Sequence, residues 1–267
     1  MTTAIANARL TVAAPVRKPR RFGLLSVVDV VDGGDAHWML GGLTADGEEC
    51  SQPLTVDITC APTGAKTSMS WYSDIEADPW LAYMYETCKT VGRYSEAAVR
   101  LRSRFLAAEQ SAVELGFQEN VLSDAVGLGS TATVPQAIGL LEAAGAAEYG
   151  GQIILHMPFV AAEEASHAGM FERVGDHLET ATGSLVDVGN YSTNMDTPTI
   201  YATGAVTLYR GPVVETGPVL GLGSGNVPTN DYYSLIERPY AALVDCFSRS
   251  VVSAICGCTP ADSGGGA

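Results

Sequence analysis

The sequence predicts an α+β fold, and three observations carry that prediction. Trp80–Gln118 reads as one very long helix, because apolar or small residues recur every three or four positions along it. Residues 128–198 alternate helical patterns with short apolar runs. The segments 22–70, 199–208 and 239–255 read as strands, and the first of these has no apolar core of its own.

Taken in order, residues 1–21 form a basic N-terminal arm in which Pro15 and Pro19 discourage a helix. Residues 22–77 form an extended, strand-rich loop region. There GLLSVVDVVDGG and HWMLGGLTADGEEC suggest strands joined through Gly33-Gly34, and Asp46-Gly47 signals a turn. PLTVDITC then alternates with period two, and Ala61–Ser70 reads as loop.

Residues 78–129 hold the long helix. Its stripe is Met84, Cys88, Val91, Tyr94, Ala98, Leu101, Phe105, Ala108, Ala112 and Leu115, with Glu86, Arg93, Glu96, Arg100, Arg104, Glu109 and Glu114 on the other faces. Asp78 is a suitable N-cap and Pro79 suits the first helical position. At about 1.5 Å per residue the segment would span roughly 55 Å, longer than one compact domain of this chain covers. Part of it is therefore expected to act as a strut or an intersubunit surface.

Gly127–Ser130 reads as a hinge, and residues 130–198 as an α/β unit. Within the unit Thr133 caps a helix running to Ala147 before Gly150-Gly151, Ile153–Met157 is a buried strand, Phe159–Arg173 is a helix, and Leu185–Val188 belongs to a strand pair. Residues 199–258 return as strands around a Gly/Pro loop, Gly211–Asn230, and residues 259–267 form a disordered tail.

Charge is distributed unevenly. The chain carries a net −15, yet Arg9, Arg17, Lys18, Arg20 and Arg21 are five of its fifteen basic residues, and from Phe22 onward ten basic residues meet thirty acidic ones. Such a body repels nucleic acid over most of its surface, while the arm can touch phosphate or an acidic neighbour. No run of 18 apolar residues suggests a membrane span, and Met1–Leu10 lacks the apolar stretch of a signal peptide. The six cysteines are expected to be reduced and mostly buried. Cys256-x-Cys258 lacks the second ligand pair that zinc requires.

The search for catalytic motifs is mostly negative. Glu164-x-x-His167 is half of a di-iron pattern without its second half, and Gly221–Gly225 lacks the Lys-Ser/Thr of a phosphate loop. Asp74, Glu76 and Asp78 read as solvated surface and a helix cap. His156 and His177 would serve as bases only if a nucleophile converged on them. We therefore expect no enzyme, no metal and no cofactor.

A basic arm, a strand-rich loop region, a very long helix, an α/β unit, a returning strand with Tyr201-Ala202-Thr203-Gly204, and Glu237-Arg238-Pro239-Tyr240 feeding a last strand follow one another in this chain. This order resembles the major capsid protein of tailed bacteriophages, whose fold encapsulins share, over nearly all of residues 1–258. The resemblance implies a tailed-phage capsid-like fold. Asp78–Gln118 would be the spine helix, Phe22–Trp71 an extended β-hairpin arm reaching over a neighbour, and Ser130–Asn194 an axial domain meeting its copies at symmetry axes. Ile200–Leu208 and Tyr240–Ile255 would return to the peripheral sheet. The chain departs from the family in being short, in lacking a recognisable scaffolding extension and in its many cysteines.

The expected function is that of a structural subunit self-assembling into an icosahedral capsid around double-stranded DNA, located in the virion and assembled in the host cytoplasm. Its partners would be many copies of itself, then portal or decoration proteins, with nonspecific contact to packaged DNA and no membrane. Arg17, Lys18, Arg20, Arg21, Trp38, Arg93, Arg100 and Arg104 are the expected assembly contacts. A head-tail connector or other oligomeric binding protein, or an encapsulin-like cargo shell, is the alternative.

Overall fold

The computed structural model of the chain describes residues 20–33, 37–47, 50, 73–88, 94–191, 193–222 and 228–255. Two sheets with separate cores are joined by one long helix. The first sheet has five strands: β1 (Asp29–Asp32), β4 (Trp80–Cys88), β11 (Val206–Arg210), β12 (Val214–Leu222) and β13 (Pro228–Val244). β13 is its axis, pairing antiparallel with β4 on one side and with β12 and then β11 on the other, while β1 lies parallel to β11. A small separate ladder joins β2 (Leu43–Gly47) to β3 (Ser73–Ala77).

The second sheet has seven strands in the order β5 (Val126–Thr131), β14 (Ser248–Ser253), β10 (Thr199–Thr203), β6 (Ile154–Pro158), β9 (Leu185–Gly189), β8 (His177–Thr180) and β7 (Phe171–Val174). Helices α3 (Val134–Ala144) and α4 (Phe159–His167) cover one face. α3 forms because Thr133 accepts a hydrogen bond from the Gln136 N–H and Pro135 sits in its first turn, while Val134, Ala137, Ile138 and Leu141 fall on one buried stripe. A single π turn continues it to Gly150, whose φ of 72° ends the helix in the left-handed region. β6 is central and wholly buried. Leu155 and Met157 face α3 and α4, whereas Ile154 joins the other core.

Helix α2 (Tyr94–Asn120) supplies that other core. At about 1.5 Å per residue its 27 residues span about 40 Å. Leu101, Phe105, Val113 and Phe117 are buried against Ala82, Ile236 and Tyr240 of the five-stranded sheet, Ile154 of the seven-stranded one and Tyr191 just after β9. Among the described residues no helix is long and apolar enough to cross a membrane.

The expected spine is thus shorter than its sequence pattern suggested. Trp80–Cys88 is strand β4: Ala82 is buried while Leu81, Tyr83 and Tyr85 are exposed, a period of two that the coincident spacing of Met84 and Cys88 concealed. Asp78-Pro79 accordingly joins two strands and caps no helix. Gly116 lies inside α2. A Cβ there would lie 2.2 Å from the Trp80 indole nitrogen, so the glycine admits the ring that packs β4 onto the helix.

Other expectations are corrected as well. Gly127–Ser130 is part of strand β5, paired parallel to β14, instead of a hinge. The helix after Phe159 stops at His167, and Gly169 (φ 70°) turns the chain into β7. Gly211–Asn230 is largely strand, contributing β12 and the start of β13. The stretch 38–41 is a helical turn, α1 (Trp38–Gly41), and Asp46-Gly47 lies within β2. The two returning segments each divide between sheets, with β10 and β14 in the seven-stranded sheet and β11 and β13 in the five-stranded one. Cys50 and Cys246 form a disulfide, where reduced thiols were expected. The PLTVDITC strand, the loop at 61–70, the Cys256-x-Cys258 pair and the tail lie outside the described residues.

Candidate functional site

The five-stranded sheet buries one face against α2, and among the described residues most of the other face is uncovered. Residues opposite one another in an antiparallel pair share a face, and Tyr83, Tyr85 and Thr87 stand opposite Glu237, Leu235 and Tyr233. Leu81, Tyr83, Tyr85 and Tyr233 therefore form one outward surface, with exposures of 50%, 63%, 64% and 38%. At the other end of the sheet α1 closes the same face. Trp38 is buried there, edge-on to Tyr209 at 6.3 Å, and Ala241 beneath is fully covered. Trp38, expected as an intersubunit contact, thus packs within its own chain.

The expected basic contacts separate likewise. Arg17, Lys18 and Arg93 lie outside the described residues. Arg20 turns inward, its guanidinium pairing with the buried Glu114 carboxylate and lying 4.6 Å over the Phe159 ring. Arg21 and Arg100 are exposed. Arg104 lies 3.8 Å from Glu86 and remains about half exposed, and its neighbour Arg102 pairs with Glu215.

Glu109 and Glu114, placed on the polar side of the helix by their spacing, are buried. Glu109 accepts hydrogen bonds from Arg238 (2.8 Å) and from the Tyr240 hydroxyl (2.6 Å), which ties α2 to β13. Burial, then the Glu109 carboxylate beside it, pushes the Tyr240 hydroxyl well above its ordinary range. Glu114 accepts from the Asn190 backbone N–H at 2.6 Å and from Gln110 at 3.1 Å, which ties α2 to the end of β9. Burial and the charge of Asp187 raise its carboxyl, against the lowering effect of Asn190 and Arg20.

Behind Glu114 the fully buried His156 holds Asp187 at Nδ1 and the Thr203 hydroxyl at Nε2, each at 2.9 Å. Tyr191 donates to Asp187, and burial followed by the Asp187 charge holds its hydroxyl well above the ordinary value. A carboxylate, an imidazole and a hydroxyl in line have the connectivity of a nucleophilic triad. Here all three are sealed at 0% exposure between α2 and the seven-stranded sheet, with Phe117 5.1 Å from the imidazole. The arrangement hydrogen-bonds one strand to the next across β9, β6 and β10. His177 sits apart in β8 between Asp176 and Glu179, whose carboxylates raise its pKa. Glu164 and His167 lie on the outward side of α4.

No protein-family model matches the sequence, and no curated protein matches it. Solved structures do. The capsid of Ralstonia phage GP4 is 9% identical, with a TM-score of 0.53 over 97% of this chain and 100% of that one. The structure of Mycobacterium phage Cain is 10% identical, with a TM-score of 0.54 over 96% and 97%. The holo-SrpI encapsulin complex from Synechococcus elongatus PCC 7942 is 11% identical, with a TM-score of 0.51 over 92% of both chains. The chain therefore has the fold of these capsid and encapsulin subunits, built from a sequence that shares about a tenth of their residues.

Proposed function

We propose that the chain is a structural subunit that self-assembles into a closed icosahedral shell, a virus capsid around double-stranded DNA. One observation carries the reading: the fold corresponds to that of a phage capsid subunit over 97% of this chain and 100% of the other. The uncovered face of the five-stranded sheet supports it. Two tyrosines about two-thirds exposed beside Leu81 and Tyr233 make an apolar, aromatic surface of the kind that subunit contacts bury. Repeated heterologous contacts that close through rotational axes turn such surfaces into a shell.

The role is mechanical, and no catalytic step is assigned to His156 or His177. Portal and decoration proteins are further partners of this reading, and the virion, assembled in the host cytoplasm, is its location. The likeness to an encapsulin favours one second reading, a shell around a protein cargo. Purified protein examined by light scattering after size exclusion and by negative-stain imaging is expected to give closed particles. A stable monomer at micromolar concentration in physiological salt would refute the proposal. Ultraviolet absorbance of nuclease-treated particles then separates a nucleic-acid container from a protein-cargo shell.

A further inference from the structure

The nine arginines among the described residues are unequally satisfied. Among the described residues six lie within 4 Å of a carboxylate: Arg20, Arg102, Arg104, Arg210, Arg238 and Arg249. Of the other three, Arg100 stands on α2, whereas Arg21 and Arg173 line one cavity of about 240 Å³ together with Arg20, Phe22, Ser26 and Asp176. Phe22 shapes this cavity. It is the one described non-glycine residue in the left-handed region (φ 63°), a conformation that an aromatic residue adopts only when its surroundings impose it.

The Val188 N–H, 2.8 Å from the Phe22 carbonyl oxygen, fixes that turn. Just before it Arg20 runs inward to Glu114, while the next residue, Arg21, stays in solvent at the cavity. Arg173 is held from β7, its Nε donating to the Gly175 carbonyl and its guanidinium 5.5 Å over the Phe22 ring. The Nη1 of Arg20 is buried and has no acceptor among the described residues. Asp176, the one carboxylate among the described residues lining the cavity, is engaged with His177 at 3.2 Å.

We propose that this cavity is an anion site that takes a phosphate of a nucleic-acid backbone. Convergent guanidinium groups with free donors suit a phosphodiester oxygen. A nucleic-acid backbone presents such oxygens at regular spacing along a linear polyanion. Carboxylates on a folded neighbour lack that regular spacing. The choice of nucleic acid rests on the reading of the shell as a DNA container.

The test mixes the smallest full-length species from size exclusion with a short fluorescein-labelled DNA duplex and follows anisotropy at about 50 and about 200 mM salt. Millimolar inorganic phosphate is expected to compete with the duplex. Arg21→Ser/Arg173→Ser is expected to bind about tenfold more weakly, with a salt slope smaller by about two, while the charge-matched Arg100→Ser/Arg102→Ser stays within about twofold. Asp176→Asn is expected to tighten binding about threefold, a gain that misfolding does not produce.

Equal losses in the two double variants, parental binding by the cavity variant, or no gain in Asp176→Asn would overturn the proposal. So would a cavity variant that alters particle mass while keeping its duplex affinity, which would assign the site to a neighbouring copy. Particles are scored separately on the same preparations. Particles without duplex binding sink this inference and leave the shell reading standing; duplex binding through Arg21 and Arg173 by a chain that never assembles does the reverse.

Discussion

Replacing Tyr83 and Tyr85 together by serine separates assembly from folding. Both side chains project from the outer face of β4, 63% and 64% exposed, so the isolated subunit loses little buried area when they shorten. The remaining cost is strand propensity, under about 1 kcal/mol at each site. In the proposed shell the balance differs. A tyrosine presents about 150–250 Å², so with these exposures each offers on the order of 100–150 Å² for a neighbour to cover. At about 25 cal/mol per Å² the pair contributes at most about 5–7 kcal/mol per subunit, and about 2–4 once the hydroxyls and incomplete coverage are discounted. Repeated over every subunit, that loss should abolish particles at micromolar concentration while far-ultraviolet circular dichroism and the melting temperature of the unassembled chain stay close to the parent. Particles formed in parental yield would show that this face lies outside the subunit contacts.

Three further outcomes follow from the interior. Phe117→Ala removes a fully buried ring and should cost about 3–5 kcal/mol, a fall of about 6–15 °C in melting temperature, whereas Val99→Ala, on the exposed side of the same helix, should stay within about 0.5 kcal/mol; equal effects would refute the assigned stripe. Burial raises the Glu114 carboxyl above its ordinary 4.5, so its contribution to stability is full below that value and is lost as pH rises through the folded one. The melting-temperature difference between Glu114→Gln and the parent should therefore shift in the variant's favour from about pH 5 to about pH 8, and a pH-independent difference would contradict the assignment. Reducing Cys50–Cys246, which closes a sequence separation of 196 residues, should lower unfolding free energy by about 2–4 kcal/mol; unchanged urea midpoints in reductant would count against the bond.

What could be read from the sequence was whatever is decided locally. The cap at Thr133, the stop at Gly150 and the apolar run of β6 depend on residues a few positions apart, and the structure shows each of them. The order of elements was enough to suggest a shell fold that the solved structures share. Trp80–Cys88 was ambiguous because Met84 and Cys88 satisfy a helical spacing while Leu81, Tyr83 and Tyr85 satisfy a strand's; pairing with β13, about 150 residues away, decides it. The polar contacts were the least legible. Glu109 meets residues 129 and 131 positions later, Glu114 meets Arg20 94 positions earlier, and Cys50 meets Cys246 across 196. No periodicity reports a partner at such distances, so spacing alone placed both glutamates in solvent.

Those two glutamates explain how one helix serves two sheets. They stand five positions apart on α2 yet bind different layers: Glu109 takes Arg238 and Tyr240 of the five-stranded sheet, and Glu114 takes the Asn190 backbone beside the seven-stranded one together with Arg20. Leu101, Phe105, Val113 and Phe117 supply the apolar area, but apolar contact is non-directional and tolerates a helix that slides or rotates by a fraction of a turn. A buried carboxylate does not tolerate it. Losing one partner leaves a charge without compensation, at a cost of about 3–5 kcal/mol, so each glutamate fixes the helix in register with its own sheet. In the proposed shell every copy would present its surfaces at the same set of angles, and an error between the two sheets would be repeated in each contact around the axis. On that reading the polar clamps on α2 serve geometry more than net stability, which gives a physical reason for placing carboxylates where apolar side chains would bury at lower cost.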